Sequence, residues 1–178
     1  MDLGLNGLKA VVTGGTKGIG RAIVETLAQE GAHVSFCARS QQDVDDALNL
    51  MHARGLKVDA KALDIANAHD LSQWVVESSS AMHGIDIVVA NVSALAIGAD
   101  EESWKKGFDV DMMGTVRLVN AAMPSLEQSK HPSIVTISST TSGATILYTT
   151  DGSDPPSSAP EPPISSVRTY SGPLRMIP

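Results

Sequence analysis

The fold is decided by one glycine-rich stretch, Thr13-Gly14-Gly15-Thr16-Lys17-Gly18-Ile19-Gly20. A short apolar, β-branched segment at 9–13 precedes the turn and indicates a buried strand. The segment that follows continues a helical face from Ile19 through Ile23 and Leu27. A glycine turn between a strand and a helix N-terminus favours a phosphate, because free N–H groups face it and missing Cβ atoms let it approach. The stretch therefore predicts a phosphate-binding turn, with a turn that binds no ligand as the alternative.

Strand-like and helix-like segments alternate along the chain as far as residue 139. Strands are expected at 9–13, 33–38, 57–63, 85–90 and 133–138. This alternation predicts an α/β fold, a doubly wound parallel sheet of about five strands with helices on both faces. Right-handed crossovers would then place a ligand at the switch point of the sheet, beside the glycine turn.

The helices between these strands are amphipathic. Gly31 and Gly55 stand just after two of them, where left-handed C-caps are expected. A long helix is expected near 102–128. The apolar residues that we expect it to place in the core are Trp104, Phe108, Met112 and Met113.

Composition excludes several classes of function. The net charge of −7 argues against general binding to nucleic acid or anionic membranes. No run approaches the roughly 18 apolar residues of a membrane span, and the N-terminus has no basic and apolar secretion signal. A single cysteine, Cys37, agrees with a reducing compartment, so a cytoplasmic protein is expected. The five histidines lack metal-ligand spacing, so no metal site is predicted.

The spacing of Gly14, Gly18 and Gly20, between a strand and a helix, resembles the fingerprint of the short-chain dehydrogenase/reductase family. The resemblance covers a domain at 1–142. It implies a Rossmann-like, NADP(H)-binding oxidoreductase that transfers hydride between a nicotinamide and a carbonyl or secondary alcohol. The implied cofactor-binding residues are Thr13, Gly14, Lys17, Gly18, Ile19, Gly20, Arg39, Asp64 and Asn91.

Cofactor preference depends on Arg39 and Lys17. An acidic residue at the end of the second strand would bind a ribose 2′-hydroxyl, whereas a cation there receives a 2′-phosphate. Arg39 can do so with two hydrogen bonds, and Lys17 adds a point charge. In the family, basic residues at these positions mark NADP(H) preference, so NADP(H) is predicted over NAD(H). Two solvated surface cations are the alternative.

Two more residues complete the implied cofactor site. In the family, an aspartate at the position of Asp64 contacts the adenine amino group, and a helix N-cap or loop anchor is the alternative reading. Asn91 keeps the first residue of the family's Asn-Asn-Ala-Gly, which here is Asn91-Val92-Ser93-Ala94. We expect Asn91 to tie neighbouring strands together beside the cofactor.

The implied catalytic site is incomplete. Ser139 matches the family's serine that orients the substrate carbonyl. Asp111 stands where most members have an asparagine that helps to hold a proton-relay water. An ionised carboxylate accepts hydrogen bonds but cannot donate one, so the relay is expected to be altered.

The family's Tyr-x-x-x-Lys dyad has no counterpart. The tyrosine is expected near Gly152, whereas the two tyrosines of the chain are Tyr148 and Tyr170, and no lysine follows Lys130. Because loss of such acid–base catalysis commonly costs about 10²–10⁴-fold in rate, impaired catalysis is predicted.

Composition changes after residue 142. Seven of the nine prolines lie within 155–178, where no helical period survives. The segment 143–155 resembles part of a chitobiase C-terminal-type β-sandwich repeat, and 170–174 resembles a later element of it. The tail at 143–178 is therefore expected to be a partial β-sandwich-like segment or a disordered Pro/Ser-rich tail.

Three functions remain open at this point. The first is an NADP(H)-dependent oxidoreductase with weakened catalysis. The second is a C-terminally truncated or chimeric nucleotide-binding module without catalysis, and the third is a carbohydrate-associated protein that depends on the tail. Because family members use the long helix at 102–128 in dimers, a homo-oligomer is a further expectation.

Overall fold

The computed structural model describes residues 3–95, 98–137, 147–148 and 168–169. The chain divides into two units after residue 138, and each is described by itself. In the second unit, two short strands, Leu147–Tyr148 and Arg168–Thr169, pair in an antiparallel manner.

The first unit contains one parallel sheet. Its strands are β1 (Lys9–Thr13), β2 (His33–Ala38), β3 (Val58–Ala62), β4 (Ile87–Ala90) and β5 (Ser133–Thr136). Their order is β3-β2-β1-β4-β5, which confirms the predicted doubly wound sheet and puts its switch point between β1 and β4. β3, β4 and β5 are shorter than predicted. Leu63, which follows β3, and Ile85, which precedes β4, lie outside the paired strands but are still buried.

Helices connect the strands. They are α1 (Gly18–Gln29), α2 (Gln41–His52), α3 (Ala68–Met82), α4 (Glu101–Gly107) and α5 (Gly114–Leu126). A π-helical segment, Phe108–Met113, joins α4 to α5, so the predicted long helix is continuous but widened in its middle. Gly31 and Gly55 have φ angles of +89° and +72°, which confirms the left-handed positions predicted for them.

The two faces of the sheet carry separate cores. On β1, Val11 packs into one cluster with Trp74 of α3, while Val12 packs into the other with Met51 of α2. Alternate side chains of a strand point to opposite faces, so one buried strand supplies both clusters. α3 and α5 cover one face, and α1 and α2 cover the other.

The prediction that the aromatic stripe of the long helix lies in the core is wrong. Trp104 is 72% exposed, Phe108 and Met112 are each 59% exposed, and Met113 is only half-buried. The helix carries a second apolar stripe at the same spacing, rotated around the axis, and that stripe faces the sheet. Its residues are Val110, Gly114, Leu118, Ala122 and Leu126. Spacing alone does not tell which of two such stripes is buried.

A buried carboxylate fixes the start of β4 against β1. Asp86 accepts hydrogen bonds from the Lys9 backbone N–H at 2.9 Å and from Ser129 Oγ at 2.6 Å, and the Lys9 ammonium lies 3.4 Å away. Burial by itself would raise the pKa of Asp86, but these bonds and the Lys9 charge outweigh it and lower the pKa. The ionised form therefore stabilises the fold.

Asp86→Asn is expected to lower the free energy of unfolding by about 1–3 kcal/mol at neutral pH, because an amide replaces a charged acceptor. The lowered pKa gives a contribution that is present above the unfolded-state pKa and is lost as pH falls through the folded-state pKa. The variant should therefore lose less stability than the wild type below about pH 4. Urea unfolding at neutral and acidic pH measures both effects. Exposed Asp46→Asn is the control, and equal stability of the two variants would contradict the assignment.

Candidate functional site

The glycine turn between β1 and α1 is anchored to the end of β2. The N–H groups of Gly14 and Gly15 both donate to the Cys37 carbonyl, at 2.8 and 3.2 Å. Gly14 has a φ of +77°, a conformation that favours glycine. The turn is therefore held in place before any ligand binds.

Close contacts explain two of the glycines in the turn. A Cβ on Gly20 would overlap the Gly14 carbonyl oxygen and the Asn91 amide. A Cβ on Gly15 would lie 2.6 Å from the Phe36 side chain. The predicted site residues do not include Gly15, and its place in a glycine-rich turn is the signal in the sequence that points to it. Gly18 has open space around it but a φ of +60°.

α1 begins without a side-chain cap. Its N-cap residue, Lys17, is extended and makes no capping hydrogen bond, and the first turn has no acidic residue. The other helices that begin after a loop in the described part of the chain are capped by Ser40, Asn67 and Asp100, and each has acidic residues in its first turn. The N–H groups at 18–20 thus keep their donor capacity and face no carboxylate of their own turn. An anion is the ligand that this end of α1 favours.

Asn91 ties the end of β4 to the glycine turn, which confirms that it joins neighbouring strands, while its place beside a cofactor stays a prediction. Its Nδ2 donates to the carbonyls of Thr13 at 3.0 Å and Gly14 at 3.4 Å. In return, the buried Thr13 Oγ1 accepts from the N–H of Asn91 at 3.0 Å and of Val92 at 3.4 Å. The hydrogen-bonding groups of Thr13 and Asn91 are thus used to join the two strands at the switch point.

The residues expected at the adenosine end lie at the carboxyl edge of the sheet. Arg39 follows β2, is exposed, and its side chain has no hydrogen bond or ion pair with any described residue. The Lys17 ammonium lies 3.5 Å from Asp43 Oδ2. Asp64 accepts a hydrogen bond from the Ala66 N–H at 3.0 Å, so it anchors its loop. The N-cap alternative for Asp64 is wrong, because Asn67 caps α3.

Asp111 lies in the π-helical segment and holds the loop after β4. Its Oδ1 accepts from the Ala94 N–H at 2.6 Å, and its Oδ2 accepts from Ser93 Oγ at 3.2 Å. π-helical turns are often found at functional sites. The sequence did not reveal the part played by Ser93, because only the fold brings it to Asp111.

The remaining predicted catalytic positions fall on residues that the structure does not describe. Ser139, Gly152 and Tyr170 lie outside the described ranges, and only the backbone of Tyr148 is described, in its short strand. The structure therefore shows Asp111 in contact with the loop after β4, and the catalytic roles of Asp111 and Ser139 stay predictions.

The described residues do not favour a nucleophilic cysteine, a metal site or a membrane-spanning helix. Burial raises the pKa of the Cys37 thiol to about 12, so this group is a neutral core residue and not a nucleophile. Among the residues that the structure describes, no three His, Cys, Asp or Glu side chains group as metal ligands. In the same part of the chain, no helix is long and apolar enough to cross a membrane.

Two family models match the chain. The short chain dehydrogenase model matches residues 9–149, and the chitobiase/beta-hexosaminidase C-terminal domain model matches residues 125–176. The first match extends beyond the expected boundary at 142, and the second begins well before it. The two matches therefore overlap at 125–149, on both sides of residue 142.

Relatives and solved structures agree with the first match. Isoepoxydon dehydrogenase of Penicillium expansum is 38% identical over 142 residues, which are 78% of this chain and 55% of that protein. A mutant short-chain dehydrogenase/reductase from Serratia marcescens is 30% identical with a TM-score of 0.72, covering 76% of this chain and 57% of that one. L-Sorbose reductase from Gluconobacter frateurii, complexed with NADPH and L-sorbose, is 31% identical with a TM-score of 0.69, covering 76% and 54%. The chain thus spans about half the length of the relatives it matches.

Proposed function

Because the chain belongs to the short-chain dehydrogenase family, we propose that its first unit binds NADP(H) at the switch point between β1 and β4. The pyrophosphate lies at the N-terminus of α1, against the N–H groups at 18–20. The observation that carries this proposal is the uncapped start of α1, which has no acidic residue in its first turn. Gly14, Gly18 and Gly20 let the backbone approach the phosphates, and Ile19 lies beside them.

Arg39 and Lys17 select the phosphorylated cofactor. Arg39 is exposed beside the end of β2, where the adenosine ribose of a dinucleotide lies in doubly wound folds. A charge-assisted hydrogen bond contributes about 1.5–3 kcal/mol, so two such cations favour NADP(H) over NAD(H). The NADPH complex of L-sorbose reductase supports the same choice. Asp64 accepts a hydrogen bond from the adenine amino group at the adenosine end of the cofactor.

The reaction type is hydride transfer between the nicotinamide and a carbonyl or secondary alcohol, with Ser139 orienting the substrate. Turnover is impaired, because the sequence has no Tyr-x-x-x-Lys pair to supply the proton. Asp111 holds the loop after β4 through both of its carboxylate oxygens, and these accepted bonds supply no proton in place of the missing dyad. NADP(H) binding without efficient catalysis is the function that these residues support best.

The exposed stripe of the long helix supports a homo-oligomer. Trp104, Phe108 and Met112 repeat every fourth residue on a face that covers none of the core formed by the described residues. We propose that a second copy packs there, which sedimentation equilibrium of the full chain would detect as a concentration-dependent mass.

The second unit supports a separate candidate function. The match of residues 125–176, which include most of this unit, to the chitobiase C-terminal domain model favours association with a carbohydrate. Retention of the full chain on chitin, compared with a chain lacking 143–178, tests this candidate, and equal retention would eliminate it.

For the first unit, the single buried cysteine supports the cytoplasm as its compartment.

A combined binding and turnover assay tests the proposed function. Excitation of Trp74 and Trp104 should produce NADPH emission by energy transfer, saturating as NADPH is added. The same sample, given small aldehydes and ketones, should oxidise NADPH about 10²–10⁴-fold more slowly than a relative that carries the dyad. Absent energy transfer would contradict the binding proposal, and a rate equal to the relative's would contradict the impairment.

A further inference from the structure

Asp43 lies between the two helices that face the adenosine end of the proposed site. Its Oδ2 is 3.5 Å from the Lys17 ammonium, so the pair links the N-terminus of α1 to the first turn of α2. The Asp43 N–H donates to Ser40 Oγ at 3.2 Å, which fixes its backbone. Arg39, just before that cap, has no such partner among the described residues. One of the two cations is therefore already paired with a carboxylate of the protein.

We propose that Asp43 is a specificity-determining residue that competes with the 2′-phosphate of NADP(H) for Lys17. The inference rests on the proposed function and concerns the same site. An ammonium is a point charge that pairs with a carboxylate or a phosphate alike. NADPH must therefore displace Asp43 from Lys17 or bind against its repulsion. NADH has no 2′-phosphate and leaves the pair intact.

We expect Asp43 to compete only modestly with the 2′-phosphate, because its pair with Lys17 is exposed. The Lys17 and Asp43 side chains are 83% and 44% exposed, and solvent weakens such pairs. Asp43→Asn frees Lys17 and removes a negative charge near the phosphate. We expect NADPH affinity to rise about threefold to tenfold, with NADH affinity unchanged. The gain should shrink in 1 M salt, where screening acts over about 3 Å.

The experiment compares dissociation constants of NADPH and NADH for the full-length wild type and variants. Asp45→Asn is the matched control, because it makes the same charge change on the same helix. Asp45 bonds to the Gln41 amide at 2.8 Å and not to Lys17. We expect less than about a twofold effect from the control. In a Lys17→Met background, the gain from Asp43→Asn should be smaller than in the wild type.

Each outcome decides the inference. A selective gain in NADPH affinity for Asp43→Asn, reduced by Lys17→Met, supports it. Saturable NADPH binding with equal effects of Asp43→Asn and Asp45→Asn would overturn it and leave the proposed function standing. A parallel gain in NADH affinity would also overturn it. A wild type that does not bind NADPH would overturn both this inference and the proposed function.

Discussion

Gly20→Ala is expected to abolish measurable NADPH binding. The added Cβ would overlap the Gly14 carbonyl oxygen, a backbone atom that cannot rotate away, and would crowd the Asn91 amide. The turn would have to open, which breaks the bonds that Asn91 makes to Thr13 and Gly14. We expect NADPH affinity to fall at least about 100-fold and stability to fall by about 1–3 kcal/mol. Calorimetric titration and thermal unfolding measure the two effects.

Gly107→Ala is the matched control for this substitution. Gly107 also lies in a helix, but beyond its chain neighbours and its own helix backbone no described atom comes within 4 Å of a Cβ placed on it. Because alanine favours helix over glycine, the control should be neutral or stabilised by up to about 1 kcal/mol, with NADPH binding unchanged. Gly20→Ala protein that binds NADPH within a few-fold of wild type would show that the turn does not hold the cofactor.

Arg39→Asp is expected to reverse the cofactor preference. The substitution removes a cation that donates charge-assisted hydrogen bonds and places a carboxylate where the 2′-phosphate would lie. We expect NADPH to bind roughly 100-fold more weakly. NADH should bind as well as before or better, because an acidic residue at this strand end accepts a bond from the ribose 2′-hydroxyl. Titration of both cofactors into both proteins measures the ratio.

Lys130→Asp controls for the change in net charge. Lys130 precedes β5, so it lies at the amino edge of the sheet, opposite the carboxyl edge that Arg39 follows. The same reversal of charge there should change NADPH affinity less than about threefold. Unchanged NADPH affinity in Arg39→Asp would remove Arg39 from the proposed site. Equal losses of NADPH affinity in both variants would show that the change in net charge alone explains the effect of Arg39→Asp.

The sheet could be predicted from the sequence because its signals are local. Alternation of strands and helices, with glycines at helix ends, is enough to specify a doubly wound sheet. That sheet in turn fixes the switch point beside Gly14. The tie made by Asn91 followed from its place at the end of β4, next to the glycine turn. In each case, residues close in sequence or in sheet order carried the information.

The features that could not be predicted depend on how distant segments meet. The long helix offers two apolar stripes, and packing on the sheet selects the one with Leu118 over the one with Phe108. Asp111 meets Ala94 only because the helix crosses the loop after β4. Lys17 and Asp43 meet because two helix N-termini converge at one edge of the sheet. Contacts between side chains that are distant in sequence produce no periodic pattern from which they could be predicted.

An amide NMR titration of the full chain with NADPH tests directly whether the N-terminus of α1 holds the cofactor phosphates. We expect saturable chemical-shift changes that are largest at the N–H groups of residues 14–20. The amides that begin α3, where Asn67 accepts from His69 and Asp70, should move little. Saturable binding with the largest shifts elsewhere, or no shifts at 14–20, would show that the cofactor phosphates do not lie at the N-terminus of α1.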